Sequence, residues 1–212
     1  MPDGLVLASS EEGGLELRLR GASPGQGVRA ELETLRAGPH PLGKALRGCD
    51  GPVVDATAGL GGDTAVLAAL GRSVLAIERN EVLFALLQDA HKRLEDRTYA
   101  ESITLAHGDS TRLLGSLPSP FDDPAAIVLD PMYPPRRKSS ALPGKSMQLM
   151  RVLLGGSSSD TAVDALLGAA FATRARRIVL KRPPEATTPE SFREPTFSIT
   201  SKLVRWDVWE RG

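Results

Sequence analysis

The sequence predicts one α/β domain built around a mostly parallel β-sheet. Segments with helical spacing alternate with short apolar runs, and this alternation is typical of βαβ units. The runs carry little polar alternation, which indicates central strands covered by helices on both faces. The five runs are PVVDA (52–56), SVLAIE (73–78), ITLAHG (103–108), AAIVLD (125–130) and RRIVLK (176–181).

Length and composition narrow the class of protein. The chain has 212 residues, 41% of them hydrophobic, which fits one domain with a small appendage. Because 26 basic residues balance 26 acidic ones, nucleic acid would have to bind a local basic patch. The single cysteine, Cys49, excludes an intramolecular disulfide and favours a reducing compartment. Because the sequence shows no leader pattern and no long apolar run, we expect a cytoplasmic protein without a membrane segment. The three histidines do not form a metal-binding motif, so we expect no metal site.

Two hairpins are predicted, one near each end of the chain. Near the start, Leu15, Leu17 and Leu19 alternate with charged residues, and the EEGG before them can turn this strand back onto residues 5–7. Near the end, TFSITSKLVRWDVWE contains two strand-like runs around SK, with its tryptophans on opposite sides of a strand or across a bulge. We assign these tryptophans to packing, without a chemical role.

The segment between the first hairpin and the sheet is rich in Gly, Pro and Ala. It allows short helices near residues 30–36 and 42–47. We therefore divide the chain into an N-terminal extension, residues 1–50, and a main domain, residues 51–212. The clearest helix follows Asn80, where Val82, Leu86, Ala90 and Leu94 repeat every four residues and form one apolar stripe.

A glycine-rich turn follows the first strand of the main domain. Residues 53–64 read VVDATAGLGGDT, and Gly59, Gly61 and Gly62 allow a tight bend and the close approach of a ligand. Glu78 ends the next strand, 19 residues after Gly59, where a carboxylate can accept hydrogen bonds from both hydroxyls of an adenosine ribose.

The turn distinguishes between two adenosine cofactors. A dinucleotide would bring its pyrophosphate to the helix start, where it would meet Asp63. S-adenosylmethionine has no phosphate and carries an ammonium and a sulfonium, so Asp55 and Asp63 favour it. Asp109 and Ser110, after the third strand, are expected either at the adenine edge or as a helix cap.

The fourth strand runs directly into Asp130, Pro131, Met132 and Tyr133. At the carboxyl edge of an open sheet these residues suit a planar exocyclic amine. Asp130 and the Pro131 carbonyl can accept its hydrogens, and Tyr133 can stack on the base, a contact worth roughly 1–3 kcal/mol. An Asp-Pro pair alone would equally suit an ordinary turn.

Basic residues follow two of the strands. Arg136, Arg137 and Lys138 come after the fourth strand, and the fifth is flanked by Arg174, Arg176, Arg177, Lys181 and Arg182. A solvated surface would explain such runs, but their placement after strand ends favours phosphate contacts with RNA.

Together these motifs resemble the ribosomal RNA small subunit methyltransferase J family, which methylates guanine N2 in 16S ribosomal RNA. The resemblance rests on VVDATAGLGGDTAVLAALG, IERN, LDPMYP, RKSSALPGKSM and RRIVLKRP. It implies a Rossmann-like S-adenosylmethionine-dependent methyltransferase fold, with a mixed seven-stranded, mostly parallel sheet, an antiparallel C-terminal hairpin and a small N-terminal β extension. It also implies that Lys181–Pro183 lie near RNA, and that the methyl donor is lined by Gly62, Asp63, Glu78, Arg79, Asp109, Ser110 and Asp130.

The expected activity is methyl transfer from S-adenosylmethionine to guanine N2 of small-subunit ribosomal RNA. Asp130 and Pro131 hold the amine, and Tyr133 stacks on the base. Three alternatives stay open: transfer to another base or to a protein amide, a dinucleotide-dependent reductase, and nucleotide binding without catalysis. The sequence leaves the oligomeric state open.

Overall fold

The computed structural model describes residues 2–11, 13–33, 40–133, 144–156, 159–188 and 192–211. Its strands are β1 (Leu5–Ser9), β2 (Leu15–Leu19), β3 (Val53–Asp55), β4 (Val74–Glu78), β5 (Ile103–His107), β6 (Ala126–Leu129), β7 (Arg177–Arg182), β8 (Phe197–Thr200) and β9 (Arg205–Glu210). Its helices are α1 (Pro41–Ala45), α2 (Gly62–Ala69), α3 (Glu81–Lys92), α4 (Arg97–Glu101), α5 (Ser110–Leu113), α6 (Lys145–Leu154) and α7 (Asp160–Ala172).

Seven strands form the main sheet, in the order β5-β4-β3-β6-β7-β9-β8. The first five strands in this order pair in parallel, and β9 pairs antiparallel with both β7 and β8. The chain moves outward from β3 through β4 to β5 and then returns to place β6 on the other side of β3. This reversal makes a topological switch point between β3 and β6, where ligands of open α/β sheets bind. The predicted sheet and both predicted hairpins are confirmed.

Two apolar clusters cover the two faces of the sheet, as the uninterrupted apolar strands predict. Val53 belongs to one cluster and Val54 to the other, because successive side chains of a strand point to opposite faces. The first cluster includes residues of α2, α3 and α6, and the second includes residues of α7. Trp206 and Trp209, three positions apart, likewise lie in different clusters and are fully buried.

The helix predicted after Asn80 is confirmed. Its first turn is capped by Asn80, whose side-chain oxygen accepts hydrogen bonds from the backbone N–H groups of Val82 and Leu83. Leu83, Leu86, Leu87 and Ala90 form its buried stripe.

The N-terminal hairpin packs on this helix. The backbone N–H of Leu15 donates to Asp89 at 3.0 Å, and Leu5 and Leu17 join the first apolar cluster. The helix predicted at residues 30–36 is absent over residues 30–33, and its remainder lies outside the described residues. Instead, the N–H of Glu31 donates to the Leu60 carbonyl, and the Leu32 carbonyl accepts from the Tyr99 hydroxyl. These long-range bonds satisfy the backbone that a helix would have paired internally.

In the parts of the chain that the structure describes, no helix is long and apolar enough to cross a membrane.

Candidate active site

The glycine turn places three predicted glycines in different surroundings. Gly59 lines a cavity at the switch point, and its φ of 57° lies in the left-handed region. Gly61 has a φ of 90° and faces the core, because a Cβ there would lie 2.6 Å from Leu32 Cδ2. Gly62 begins α2, is exposed and has open space where a Cβ would lie. Gly59 alone of the three lines the cavity, and Gly61 serves packing.

Asp55 stabilises the turn from within. Its carboxylate is buried, and it accepts hydrogen bonds from the Thr57 N–H at 3.1 Å and the Thr64 hydroxyl at 2.5 Å. Burial, together with the nearby Asp63 carboxylate, raises the pKa of Asp55 to about 7. Asp55 does not line the cavity. It instead stabilises the glycine turn, which we predicted to bind the methyl donor.

Glu78 lines the cavity from the end of β4. One carboxylate oxygen accepts from the Gly59 N–H at 2.9 Å, and the other accepts from the Asn80 N–H at 2.7 Å. Burial raises the pKa of Glu78, although these hydrogen bonds oppose the shift. The carboxylate is thus held against the glycine turn, with the remaining lone pairs available to the hydroxyls of a ribose. Arg79, the next residue, is exposed at the rim of the same cavity.

Asp109 and Ser110 both line the cavity, and Asp109 also caps α5. Asp109 accepts from the backbone N–H and the hydroxyl of Thr111, at 2.9 and 2.8 Å, at the start of α5. The Ser110 hydroxyl donates to the Ala56 carbonyl at 2.6 Å. The two roles that the sequence left open, a helix cap and a place at the cavity, are therefore combined in Asp109, whereas Ser110 lines the cavity without capping the helix.

Asp130 and Pro131 line the cavity beside the glycine turn. The backbone N–H of Asp130 donates to the Thr57 hydroxyl at 2.6 Å, which ties the end of β6 to the end of β3. The Asp130 carboxylate accepts from Lys181 Nζ at 2.6 Å, and the same ammonium donates to Asp63 at 3.2 Å. Partial burial raises the pKa of Asp130, and the Lys181 charge opposes this rise.

Several cavity walls were not predicted from the sequence. Thr57 lies within the glycine-rich motif. Its hydrogen bond with the Asp130 N–H joins residues far apart in the sequence, so no local sequence pattern predicts it. Met150 and Leu154 of α6 contribute apolar wall on one side, and Leu166 of α7 contributes more. Their helical apolar spacing indicates only that they are buried.

Some predicted substrate contacts lie elsewhere. Arg182 is 3% exposed and forms an ion pair with the buried Asp207 at 2.6 Å, so the expected contact with RNA does not fit its position. Lys181 is held between two carboxylates. Arg174, Arg176 and Arg177 do not follow a strand end: Arg177 begins β7, at the edge of the sheet opposite the cavity, and the other two precede it. The predicted placement of these three arginines beside the site is therefore wrong.

Two further predictions concern residues that follow the fourth strand of the main sheet. Arg136, Arg137 and Lys138 lie outside the described residues. Tyr133 is half-buried directly after the cavity-lining Met132. Its stacking on a base stays a prediction.

The cavity suits S-adenosylmethionine better than a dinucleotide. Glu78 can bind the ribose, and Ile77, Leu83 and Leu166 offer apolar wall for an adenine ring. At the start of α2, where a dinucleotide places its pyrophosphate, Asp63 presents a carboxylate. Lys181, the cation that contacts Asp63, also binds Asp130. A pyrophosphate would meet unfavourable charge there, whereas an ammonium or a sulfonium would be attracted.

Comparison with known proteins agrees with this chemistry. Residues 42–211 match the model of the family described as "Putative SAM-dependent methyltransferase". A crystal structure of an S-adenosylmethionine-dependent methyltransferase from Neisseria gonorrhoeae superposes with a TM-score of 0.71, at 28% identity, over 99% of this chain and 84% of the other. The fold and the family match define the class: the protein is an S-adenosylmethionine-dependent methyltransferase. The dinucleotide-dependent reductase is thereby excluded.

Two curated relatives narrow the class. Ribosomal RNA small subunit methyltransferase J of Rhodopseudomonas palustris is 43% identical over 164 residues, which cover 75% of this chain and 76% of the relative. The protein of the same name from Thioalkalivibrio sulfidiphilus is 40% identical over 191 residues, 88% of this chain and 72% of the relative. The chain belongs to the ribosomal RNA small subunit methyltransferase J family, as the sequence motifs predicted.

Proposed function

We propose that the protein methylates N2 of a guanine in small-subunit ribosomal RNA, with S-adenosylmethionine as the methyl donor. The observation that carries this proposal is the juxtaposition of Asp130 and Pro131 with Gly59 and Glu78 around one cavity. An acceptor for amine hydrogens thus lies beside a site suited to a nucleoside. The names of the curated relatives support ribosomal RNA as the substrate.

The chain's own residues would hold both partners of the reaction. Glu78 would bind the donor's ribose hydroxyls, and the walls from β4, α6 and α7 would enclose its adenine. The bound donor supplies an electrophilic methyl group on a sulfonium. The guanine amine is a weak nucleophile because its lone pair is delocalised into the ring, so alignment provides much of the acceleration.

Asp130 and Pro131 would supply that alignment. The Asp130 carboxylate and the Pro131 carbonyl are hydrogen-bond acceptors that can bind the two hydrogens of the amine and aim its nitrogen at the methyl group. Proline also stiffens the turn that carries them. Tyr133 would stack on the guanine ring. As the nitrogen forms its new bond it becomes more acidic, and Asp130 can accept the proton that it loses.

A single-turnover assay tests the proposal. Purified protein is mixed with radiolabelled S-adenosylmethionine and small-subunit RNA from cells that lack this protein, and the methylated nucleoside is identified by mass spectrometry. We expect N2-methylguanosine at one position. Asp130→Ala should abolish transfer while binding of S-adenosylhomocysteine, measured by calorimetry, falls only modestly.

The matched control is Asp123→Ala, an exposed aspartate remote from the cavity lining, which should leave transfer unchanged. Methylation of adenine, cytosine or a protein glutamine in place of guanine would overturn the substrate assignment. Full turnover by Asp130→Ala would overturn the role of Asp130.

A further inference from the structure

Lys181 lies at the centre of a charged cluster beside the amine-binding position. Its ammonium contacts Asp130 Oδ2 at 2.6 Å and Asp63 Oδ2 at 3.2 Å, and its side chain is 24% exposed. The ammonium also lies 5.0 Å from the centroid of the Trp206 ring, a cation–π contact with a fully buried indole. A lysine committed to two carboxylates and an aromatic ring is poorly placed to bind an RNA phosphate.

The surroundings of Lys181 keep it charged. Burial by itself would lower its pKa, but the Asp130 and Asp63 carboxylates raise the pKa of Lys181 to about 12. The other ionisable groups of the cluster are Asp55, whose pKa is raised by burial and by Asp63 and Asp130, and His40, whose pKa is lowered by burial and by Lys181. The His40 ring packs edge-on against Trp206, with the centroids 6.0 Å apart. Three carboxylates and one fixed cation therefore share this corner of the sheet.

We propose that Lys181 is a positioning residue for methyl transfer, which binds Asp130 Oδ2 and leaves Oδ1 to accept a hydrogen of the guanine amine. This inference rests on the proposed function. In the described residues no group donates to Oδ1, and the backbone of Asp130 is tied to Thr57, so Lys181 and Thr57 together set the direction of the carboxylate.

The same contact favours the ionised form of Asp130, because the Lys181 charge opposes the rise that burial causes in the pKa of Asp130. The N2 lone pair forms the new nitrogen–carbon bond, and the electrons of the broken sulfur–carbon bond remain on sulfur, which becomes a neutral thioether. N2 releases one proton to the ionised Asp130 carboxylate, which passes it to solvent. Because a nearby cation favours the ionised carboxylate, Lys181 extends the pH range in which Asp130 can accept this proton.

The test is the pH profile of the single-turnover rate in Lys181→Met and Lys181→Arg. Methionine keeps a long side chain over Trp206 without the charge, whereas arginine keeps the charge. For Lys181→Met we expect a loss of about tenfold or more near neutral pH and an acid limb moved upward by about one pH unit, since the carboxyl loses its cation. Lys181→Arg should keep the acid limb near its wild-type position. The matched control is Lys202→Met, an exposed lysine in the β8–β9 turn, which should change neither the rate nor the profile.

Two additional measurements separate positioning from structural roles. Binding of S-adenosylhomocysteine should stay within about threefold of wild type in both variants, because the ribose contact at Glu78 is intact. A wild-type rate and acid limb in Lys181→Met would overturn the proposal, and so would an equal loss at every pH together with weaker binding. If Lys181→Met fails to fold, an acid limb raised in Lys181→Arg would also count against it. Failure of the wild-type protein to methylate RNA would instead overturn the proposed function.

Discussion

The buried Asp55 carboxylate should make the free energy of unfolding depend on pH in a direction unusual for an aspartate. Burial and the neighbouring Asp63 raise its pKa from 3.8 to about 7 in the folded protein. The folded state therefore binds the proton more tightly than the unfolded state does. Stability from this group is fully present below the unfolded pKa of 3.8 and is lost as the pH rises to about 7.

The size of the effect follows from the shift. Each pKa unit corresponds to about 1.4 kcal/mol, so about three units cost the protein on the order of 4 kcal/mol above about pH 7. At about pH 5 the cost is only about 2 kcal/mol, because the proton is still bound in the folded state. A change of about 2 kcal/mol between these two conditions is therefore attributable to Asp55.

Asp55→Asn isolates this contribution. The amide oxygen can still accept from the Thr57 N–H, and the amide nitrogen can donate to the Thr64 hydroxyl, so both hydrogen bonds survive without a charge. Urea unfolding of wild type and variant at about pH 5 and about pH 8 should show the variant gaining about 2 kcal/mol relative to wild type at the higher pH.

Comparing the difference at two pH values cancels any pH-independent cost of the amide. Thr64→Val removes a hydrogen bond that favours the ionised carboxylate, so its stability should fall more steeply with pH than that of wild type. A flat difference between wild type and Asp55→Asn, or one of opposite slope, would refute the reasoning.

Two further substitutions, each with a control, test residues that we assign to packing of the interior. Gly61→Ala should lower the free energy of unfolding by about 2 kcal/mol or more, because the position has a φ of 90° and its Cβ would overlap Leu32. Gly62→Ala, where the space is open, is the control and should change it by less than about 0.5 kcal/mol in the same urea titration. Arg182→Met should cost about 3 kcal/mol by breaking the buried pair with Asp207, whereas the exposed Arg174→Met should be nearly neutral. If Arg182→Met instead keeps full stability and weakens only RNA binding, our placement of Arg182 in the interior is wrong.

Much of the fold could be predicted from local patterns. The apolar runs predicted the strands, and the four-residue repeat after Asn80 predicted α3, because each pattern reports which side of an element is buried. The helix predicted at residues 30–36 is an exception, because residues 30–33 are not helical. Their backbone bonds to Leu60 and Tyr99, and such partners, distant along the chain, leave no local pattern.

Part of the candidate site could also be predicted, because several of its residues lie at the ends of predicted strands. Glu78 ends a strand, Asp109 and Asp130 come just after strands, and parallel strands bring their carboxyl ends to one edge of the sheet. The same inference grouped Gly61 with the ligand-facing glycines. A glycine motif indicates positions where a Cβ does not fit. Whether a ligand or a side chain such as Leu32 occupies that space depends on the elements that pack against the turn.

By itself, the sequence determined the class of protein, the order of its strands along the chain and the acidic, phosphate-excluding character of the glycine turn. Only the tertiary structure decided which charges meet. Lys181 and Arg182 are adjacent in a basic run, yet one binds Asp63 and Asp130, 118 and 51 residues away, while the other pairs with Asp207. Successive side chains of a strand point to opposite faces, and their partners come from whichever elements pack there. That information lies in the packing of the whole chain, and a run of basic residues does not contain it.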